Sequence, residues 1–308
     1  MKNMRIPLLI AWGVAILGII LGSFLDFQLS SAIASAKNGF GLTVSAIGPT
    51  IGFSAVALMG GGFIALIVKG KYHIALKILF GVLALCCLGV AIYYPAGEYF
   101  GINGFYGAAP EWAGYLIAVW PALGALVGGY FLFKDNKNDK IWIVFCSIIV
   151  LLLLALLLII PQIKDNMHRP RFRAIVASGN DIEFHNWWEK FSEYSTYKQG
   201  DVLVINGVEY AKDNFKSFPS GHTAEASIPF VLITFMPLAN EKFKKVQLPM
   251  FIGTGALVLL VAFSRILAAA HFLSDVSWGA TIILSLLLIA NEVIMRVKPL
   301  QLEQSSDK

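Results

Sequence analysis

Apolar residues along this chain come in blocks of about 20, separated by short polar stretches, instead of alternating or recurring on one narrow face. A helix that long rises about 1.5 Å per residue and crosses the roughly 30 Å of hydrocarbon in a bilayer. The pattern predicts eight such helices, at about 7–28, 47–68, 75–94, 113–133, 141–162, 222–239, 247–266 and 276–296. Gly60-Gly61-Gly62 interrupts the apolar run of the second, but glycine is tolerated in membrane helices, where it lets neighbours approach closely. Gly124 and Gly128 form a small-xxx-small pair that points to packing on the fourth. The expected fold class is an all-α integral membrane protein, a helical bundle of about eight transmembrane helices.

The one sizeable polar stretch is 163–221. Within it Trp187, Trp188, Phe191 and Tyr194 recur at helical spacing beside Glu189, Lys190 and Glu193. That pattern predicts a short amphipathic helix at headgroup level, where Trp and Tyr are favoured. Val202–Ile205 and Val208-Glu209-Tyr210 flank Asn206-Gly207, a strong signal for a two-residue β-hairpin. Amphipathic helix and hairpin together predict a small extracytoplasmic cap. A purely structural cap and a lid or guide for a lipid, formed by 174–216, both fit.

Composition supports the membrane reading: 57% of residues are hydrophobic and 14% charged, against roughly a quarter charged in soluble domains. The net charge of +5 would raise nucleic acid as a partner in a soluble protein. Here the cations lie mainly in short connecting loops, so topology accounts for them and no nucleic-acid partner is expected. With Lys2 and Arg5 in the cytoplasm, Lys69, Lys71, Lys134, Lys137, Lys140, Lys242, Lys244, Lys245, Arg296 and Lys298 all fall inside. The opposite short loops carry only Lys37. An eight-helix count satisfies this bias at every loop and puts 163–221 and the turn after 266 together outside. Cys86, Cys87 and Cys146 lie in apolar blocks and read as small buried residues, with no metal-ligand spacing. Ala34-Ser35-Ala36 resembles a cleavage site but stands too far beyond the first apolar block, so that block is expected to remain a membrane helix. The predicted organisation is 1–140 as N-terminal helices, 141–300 as a core carrying loop 163–221, and 301–308 as a polar tail.

Three separated pieces carry chemistry. In Ser264-Arg265 through His271 to Asp275, the last two are four apart, so on a helix a carboxylate and an imidazole share a face. That is the base-and-orienter half of a catalytic triad. Alone, it also fits a buried histidine at a helix end. Pro219-Ser220-Gly221-His222 directly precedes an apolar block and marks a helix start, whose free N–H groups favour anions. Lys164 and Arg171 are seven apart, about two helical turns, although Pro170 interrupts that geometry. Arg171 offers a fork and Lys164 a point charge to phosphate oxygens. Arg169, Arg173 and His168 read as cations meeting lipid headgroups.

These residues resemble the type 2 phosphatidic-acid phosphatase family, metal-independent lipid phosphatases related to vanadium haloperoxidases. The family pattern is lysine, six residues, Arg-Pro; then Pro-Ser-Gly-His; then Ser-Arg, five residues, His, three residues, Asp. The second piece matches at 219–222 and the third at Ser264, Arg265, His271 and Asp275. The first matches at Lys164 and Arg171, with Phe172 in place of the proline. The resemblance covers roughly 160–296 and leaves an extra pair of N-terminal spans unexplained.

It implies that His271 attacks phosphorus and forms a phosphohistidine, that Asp275 orients it, and that His222 protonates the leaving oxygen and then helps activate water. Lys164, Arg171, Arg265, Ser220 and the Gly221 amide would hold the phosphoryl oxygens, without metal or cofactor. The expected protein is a phosphatase of lipid phosphates or diphosphates, such as phosphatidic acid, phosphatidylglycerophosphate or a polyprenyl diphosphate, in a bacterial plasma membrane with its site outside. A transporter or lipid-binding protein without hydrolytic activity is the competing class, and a phosphatase-like protein whose extra spans serve assembly is a third. Oligomeric state is left open.

Overall fold

A computed structural model describes residues 4–104, 112–136, 139–179, 181–192, 198–199, 202–205 and 207–296. Lys2, Lys137, Tyr194, Asn206, Lys298 and the tail 301–308 lie outside these described residues. Within them, eight helical segments are long and apolar enough to cross a membrane. They are α1 (Arg5–Ile33), α2 (Gly39–Val68), α3 (Ile74–Gly104) and α4 (Trp112–Phe133), then α5 (Asp139–Leu154) running through a π-helical turn (Ala155–Ile159) into α6 (Ile160–Met167). After the polar segment come α8 (Gly221–Ser227) with α9 (Phe230–Ala239), α10 (Gln247–Leu267) and α11 (Leu273–Arg296). Pro229 lacks the N–H that would continue α8, so the sixth crossing is made of two short helices.

The second span is one unbroken helix through its three glycines, as the tolerance of glycine in membrane helices allows. α2 is the central strut, packing on α3, α4, α8 and α10. Its glycines serve close approach: a Cβ on Gly61 would collide with the Leu126 carbonyl, and one on Gly129 of α4 with the Leu58 carbonyl. Gly124 and Gly128 face open space, so the packing glycine lies one residue beyond the expected pair. The outer faces of α1, α3 and α4 expose large apolar side chains such as Ile10, Phe24, Leu85 and Trp120, as hydrocarbon contact requires.

The helix ends sort into two groups. At one end, Lys69 Nζ donates to the Asn136 carbonyl at 2.6 Å and to Asp139 Oδ1 at 2.7 Å, while Tyr72 OH donates to Asp139 Oδ2 at 2.7 Å. That hydrogen bond, with burial and the nearby carboxylate charge, pushes the Tyr72 hydroxyl up to about 12. Arg5 pairs with Glu292 at 3.4 Å, across α1 and α11. The opposite end carries the polar segment and all three chemical pieces.

There the chain forms α7 (Phe172–Ala177) and a three-stranded antiparallel sheet, β1 (Lys198–Gln199), β2 (Val202–Ile205) and β3 (Val208–Ala211), in that order. Ile205 pairs with Val208 across the two-residue turn, where Gly207 takes φ +79°. The predicted hairpin therefore forms. Leu203 and Ile205, two apart on one face of β2, join Tyr210, Phe172, Phe215 and Phe272 in a small second core.

Over its described part, 187–192, the predicted amphipathic helix does not form. Asn186 N–H donates to Glu189 Oε2 at 2.7 Å and Phe191 N–H to the Met167 carbonyl at 3.0 Å, spending those amides on a turn and a long-range tie. The aromatics are inward anchors: Phe191 stacks on Phe215, and Trp187 packs between Phe218 and Trp278. Trp187 Nε1 donates to Ser23 Oγ at 3.0 Å, pinning the segment to α1.

Candidate active site

Each piece of the site sits where a helix breaks. α6 ends at Met167 because His168 turns left-handed at φ 50°, and extended Arg171 then precedes α7. Phe172 thus holds the first helical position, where proline is otherwise favoured, so its presence leaves the local fold intact. It is buried against Phe27 and Phe272 instead. Ser220 precedes α8, and its N–H donates to the Asp275 carbonyl at 3.0 Å, tying α8 to α11. A Cβ on Gly279 would stand 2.3 Å from the Ser220 carbonyl, so only glycine allows this approach. His271 follows α10 in the linker to α11.

These breaks bring the predicted residues together. His222 and His271 are both buried, 7% and 1% exposed. Burial first, then Arg265, Arg171, Lys164 and His222, hold the His271 imidazole well below its usual value, so it is neutral. The same three cations surround His222. Lys164 Nζ lies 3.7 Å from where a Gly221 Cβ would be, at the start of α8. Arg171 Nε and Arg265 Nε are buried N–H donors without a protein partner, which is the state expected of donors aimed at an anion. Glu225 Oε2, one turn after Gly221, is likewise buried without a partner. Among the described residues, no three His, Cys, Asp or Glu side chains are grouped to hold a metal ion.

The ring of His271 is not oriented as the helical spacing suggests. Its Nδ1 lies 2.5 Å from the Ser217 carbonyl, whereas Asp275 Oδ2 stands 3.9 Å away, beyond hydrogen-bond range. A carbonyl only accepts, so Nδ1 carries the proton and Nε2 keeps its lone pair. Asp275 acts on the ring at one remove: its Oδ2 accepts from Ser217 Oγ at 2.6 Å and from the Phe272 N–H at 2.8 Å.

Arg169 overturns its expected place among the headgroups. It is 1% exposed, and its fork bridges two buried carboxylates, Asp275 Oδ1 at 2.5 Å and Asp26 Oδ2 at 2.9 Å. Nε donates to the His185 carbonyl at 2.8 Å, and the guanidinium lies 4.4 Å from the Phe272 ring centre. Arg173 likewise turns inward, donating to Asp213 Oδ2 at 2.7 Å, the carboxyl that also holds Arg171 at 2.8 Å. Burial raises the Asp213 carboxyl, but Arg171, Arg173, Lys164 and Arg265 outweigh it and keep it below the usual carboxylate range.

Two further acidic residues come from the N-terminal helices. Asp26 of α1 is 2% exposed, and Glu98 Oε2 of α3 stands 3.4 Å from His222 Nε2. An ionisable residue inside an apolar block was the available signal for Asp26, whereas Glu98 lies past the end of its predicted block and carried none.

Fold and constellation define the class: a membrane-embedded helical protein with a buried, cation-lined, two-histidine site at one end of its bundle. The family model described as PAP2 superfamily matches residues 140–297, half of the chain, and the chain belongs to that superfamily. Its members are phosphatases generally. Neither the curated proteins nor the solved structures compared gave a match.

Proposed function

We propose that this protein is a membrane phosphatase that hydrolyses a lipid phosphate or diphosphate through a phosphohistidine on His271. The observation that carries this reading is the neutral His271 ring, its Nε2 free, facing Lys164, Arg171, Arg265 and His222 in one buried pocket.

Lys164, Arg171 and Arg265, with Ser220 and the Gly221 amide, hold the phosphoryl oxygens and neutralise the charge that spreads over them in the transition state. His271 Nε2 forms a bond to phosphorus as the bond to the leaving oxygen breaks. His222, charged once the bound phosphoryl oxygens offset the cations around it, gives its proton to that oxygen, a step worth about 10²–10⁴-fold. A water then attacks the phosphohistidine, His222 takes the proton, and inorganic phosphate leaves with His271 restored. Glu98 is an anionic neighbour for the charged form of His222. Asp275 serves through Ser217.

A lipid is the substrate class favoured by the surroundings. A cavity of about 740 Å³ runs between α1, α10 and α11, lined by residues such as Leu17, Leu21, Ile252, Leu259 and Leu273. Its wall includes Thr223, the residue after His222, so an apolar chain lying there ends beside the phosphate pocket. The lysine-rich loops gather at the end away from the site, which supports an outward-facing site in a plasma membrane.

Purified protein should release phosphate, with EDTA present, from some member of a panel of phosphatidic acid, phosphatidylglycerophosphate, polyprenyl diphosphate and a soluble sugar phosphate. Release from none would favour a binding or transport role. Release from the sugar phosphate alone would refute the lipid assignment.

A further inference from the structure

α1 lies outside the matched family region, yet it enters the innermost polar layer of the site. Gly22 makes this possible: a Cβ there would stand 2.5 Å from the Ser274 N–H nitrogen and 2.8 Å from Asp26 Oδ1, so α1 presses directly on the first turn of α11. Asp26 Oδ1 accepts from the Ser274 N–H at 2.9 Å, and Oδ2 accepts from Ser274 Oγ and from Arg169 Nη2. A carboxylate from α1 therefore caps α11, satisfying an amide that has no partner within its own helix. Arg169 Nη1 donates both to Ser274 Oγ at 2.9 Å and to Asp275 Oδ1. From Asp275 the path runs through Ser217 Oγ to the carbonyl that receives His271 Nδ1–H.

We propose that Asp26 is a positioning residue for His271: through Arg169 and Ser274 it fixes Asp275, which sets Ser217 and so aims the imidazole at phosphorus. This rests on the reading of His271 as nucleophile. The layer holds two carboxylates and one guanidinium, all almost completely enclosed. With Asp26 changed to asparagine, Arg169 has only Asp275 to answer its charge; one oxygen remains to accept from the Ser274 amide, while the Oδ2 that served the Ser274 hydroxyl and Arg169 becomes a donor. Asp275 is then drawn toward Arg169 and away from Ser217. The N-terminal helices gain a role by this inference, since part of the aim of the nucleophile is built on α1.

The test is Asp26→Asn in the full chain, compared with the unaltered protein on whichever substrate of the panel releases phosphate. kcat should fall about 10- to 100-fold, the worth of a buried charge-assisted hydrogen bond. KM should stay within about threefold, because no phosphate-holding residue is altered. The acid limb of kcat/KM should move to lower pH, since removing a negative charge behind the ring makes imidazolium harder to form. The charged groups facing His271 are Arg265 from α10, Lys164 from α6, Arg171 before α7, His222 from α8 and Asp275 of α11, and none is changed. Loss of stability alone would lower the amount of active protein without moving that limb.

Ser274→Ala removes only a hydroxyl that donates to Asp26 and accepts from Arg169. It should give a smaller kcat loss at unchanged KM, with the limb in place because no charge is removed, and it serves if Asp26→Asn fails to fold. An unchanged kcat in whichever variant folds, or a loss in Asp26→Asn with the limb unmoved, overturns the inference. No release by the unaltered protein instead overturns the phosphatase reading itself.

Discussion

Replacing Gly279 by alanine probes the join between α8 and α11 with a single methyl group. The new Cβ would stand 2.3 Å from the Ser220 carbonyl oxygen, a backbone atom that no side-chain rotation can move away. Real contacts of this kind stop near 3.0 Å, so the two helices must open by about 0.7 Å or more. That opening falls on the bond from the Ser220 N–H to the Asp275 carbonyl, between the elements bearing His222 and Asp275. Since a displacement of about 1 Å at reacting groups costs about 10²-fold, kcat should fall about 10- to 100-fold.

The sign of the stability change separates crowding from local preference. Glycine to alanine within an exposed helix gains up to about 1 kcal/mol, whereas overfilling a packed join costs about 1–3 kcal/mol. Phosphate release and thermal unfolding in detergent would be measured side by side, with Gly128→Ala as the control because open space surrounds it. The control should be as active as the original and no less stable. Should Gly279→Ala match the control in both measurements, the close α8–α11 approach does not hold the site together.

Other outcomes follow from the same geometry. His271→Ala should abolish turnover while His222→Ala leaves a trace; full activity in both, measured by phosphate release, refutes their roles. Arg169→Met leaves Asp26 and Asp275 buried without a cation and should cost about 3–5 kcal/mol. Asp26→Asn combined with Arg169→Met should recover part of that loss in detergent unfolding curves, and a double variant no better than the single would contradict the bridging role. Because the folded state holds His271 below its unfolded value of about 6.5, the unfolded chain binds a proton that the folded one refuses as pH drops. Stability should therefore decline as pH falls below about 6.5, and His271→Asn should flatten the decline; an equal slope in both proteins would show the ring to be unstrained by its neighbours.

The long apolar blocks determined the eight crossings by themselves, because spanning hydrocarbon requires every backbone group to bond within its own helix. The motif residues Lys164, Arg171, Ser220, Gly221, His222, Arg265, His271 and Asp275 were legible through their types and spacing, which resemble a family pattern. Asn206-Gly207 announced its hairpin through the turn geometry that those residues favour.

Tertiary structure decided what depends on several segments meeting. Arg169 looks like any cation after a membrane span until α1 and α11 bring carboxylates to both sides of it. The aromatic row at 187–191 has helical spacing, but so short a segment gains little from helix formation, and anchoring on Phe215, Phe218 and Trp278 outweighs it. Which glycines of α2 and α4 touch depends on helix rotation, which spacing alone does not set. The His271 tautomer follows from the Ser217 carbonyl, 54 residues away in sequence. A local pattern records what one segment can do; a buried charge or a shared proton is settled by the neighbours that exclude water from it.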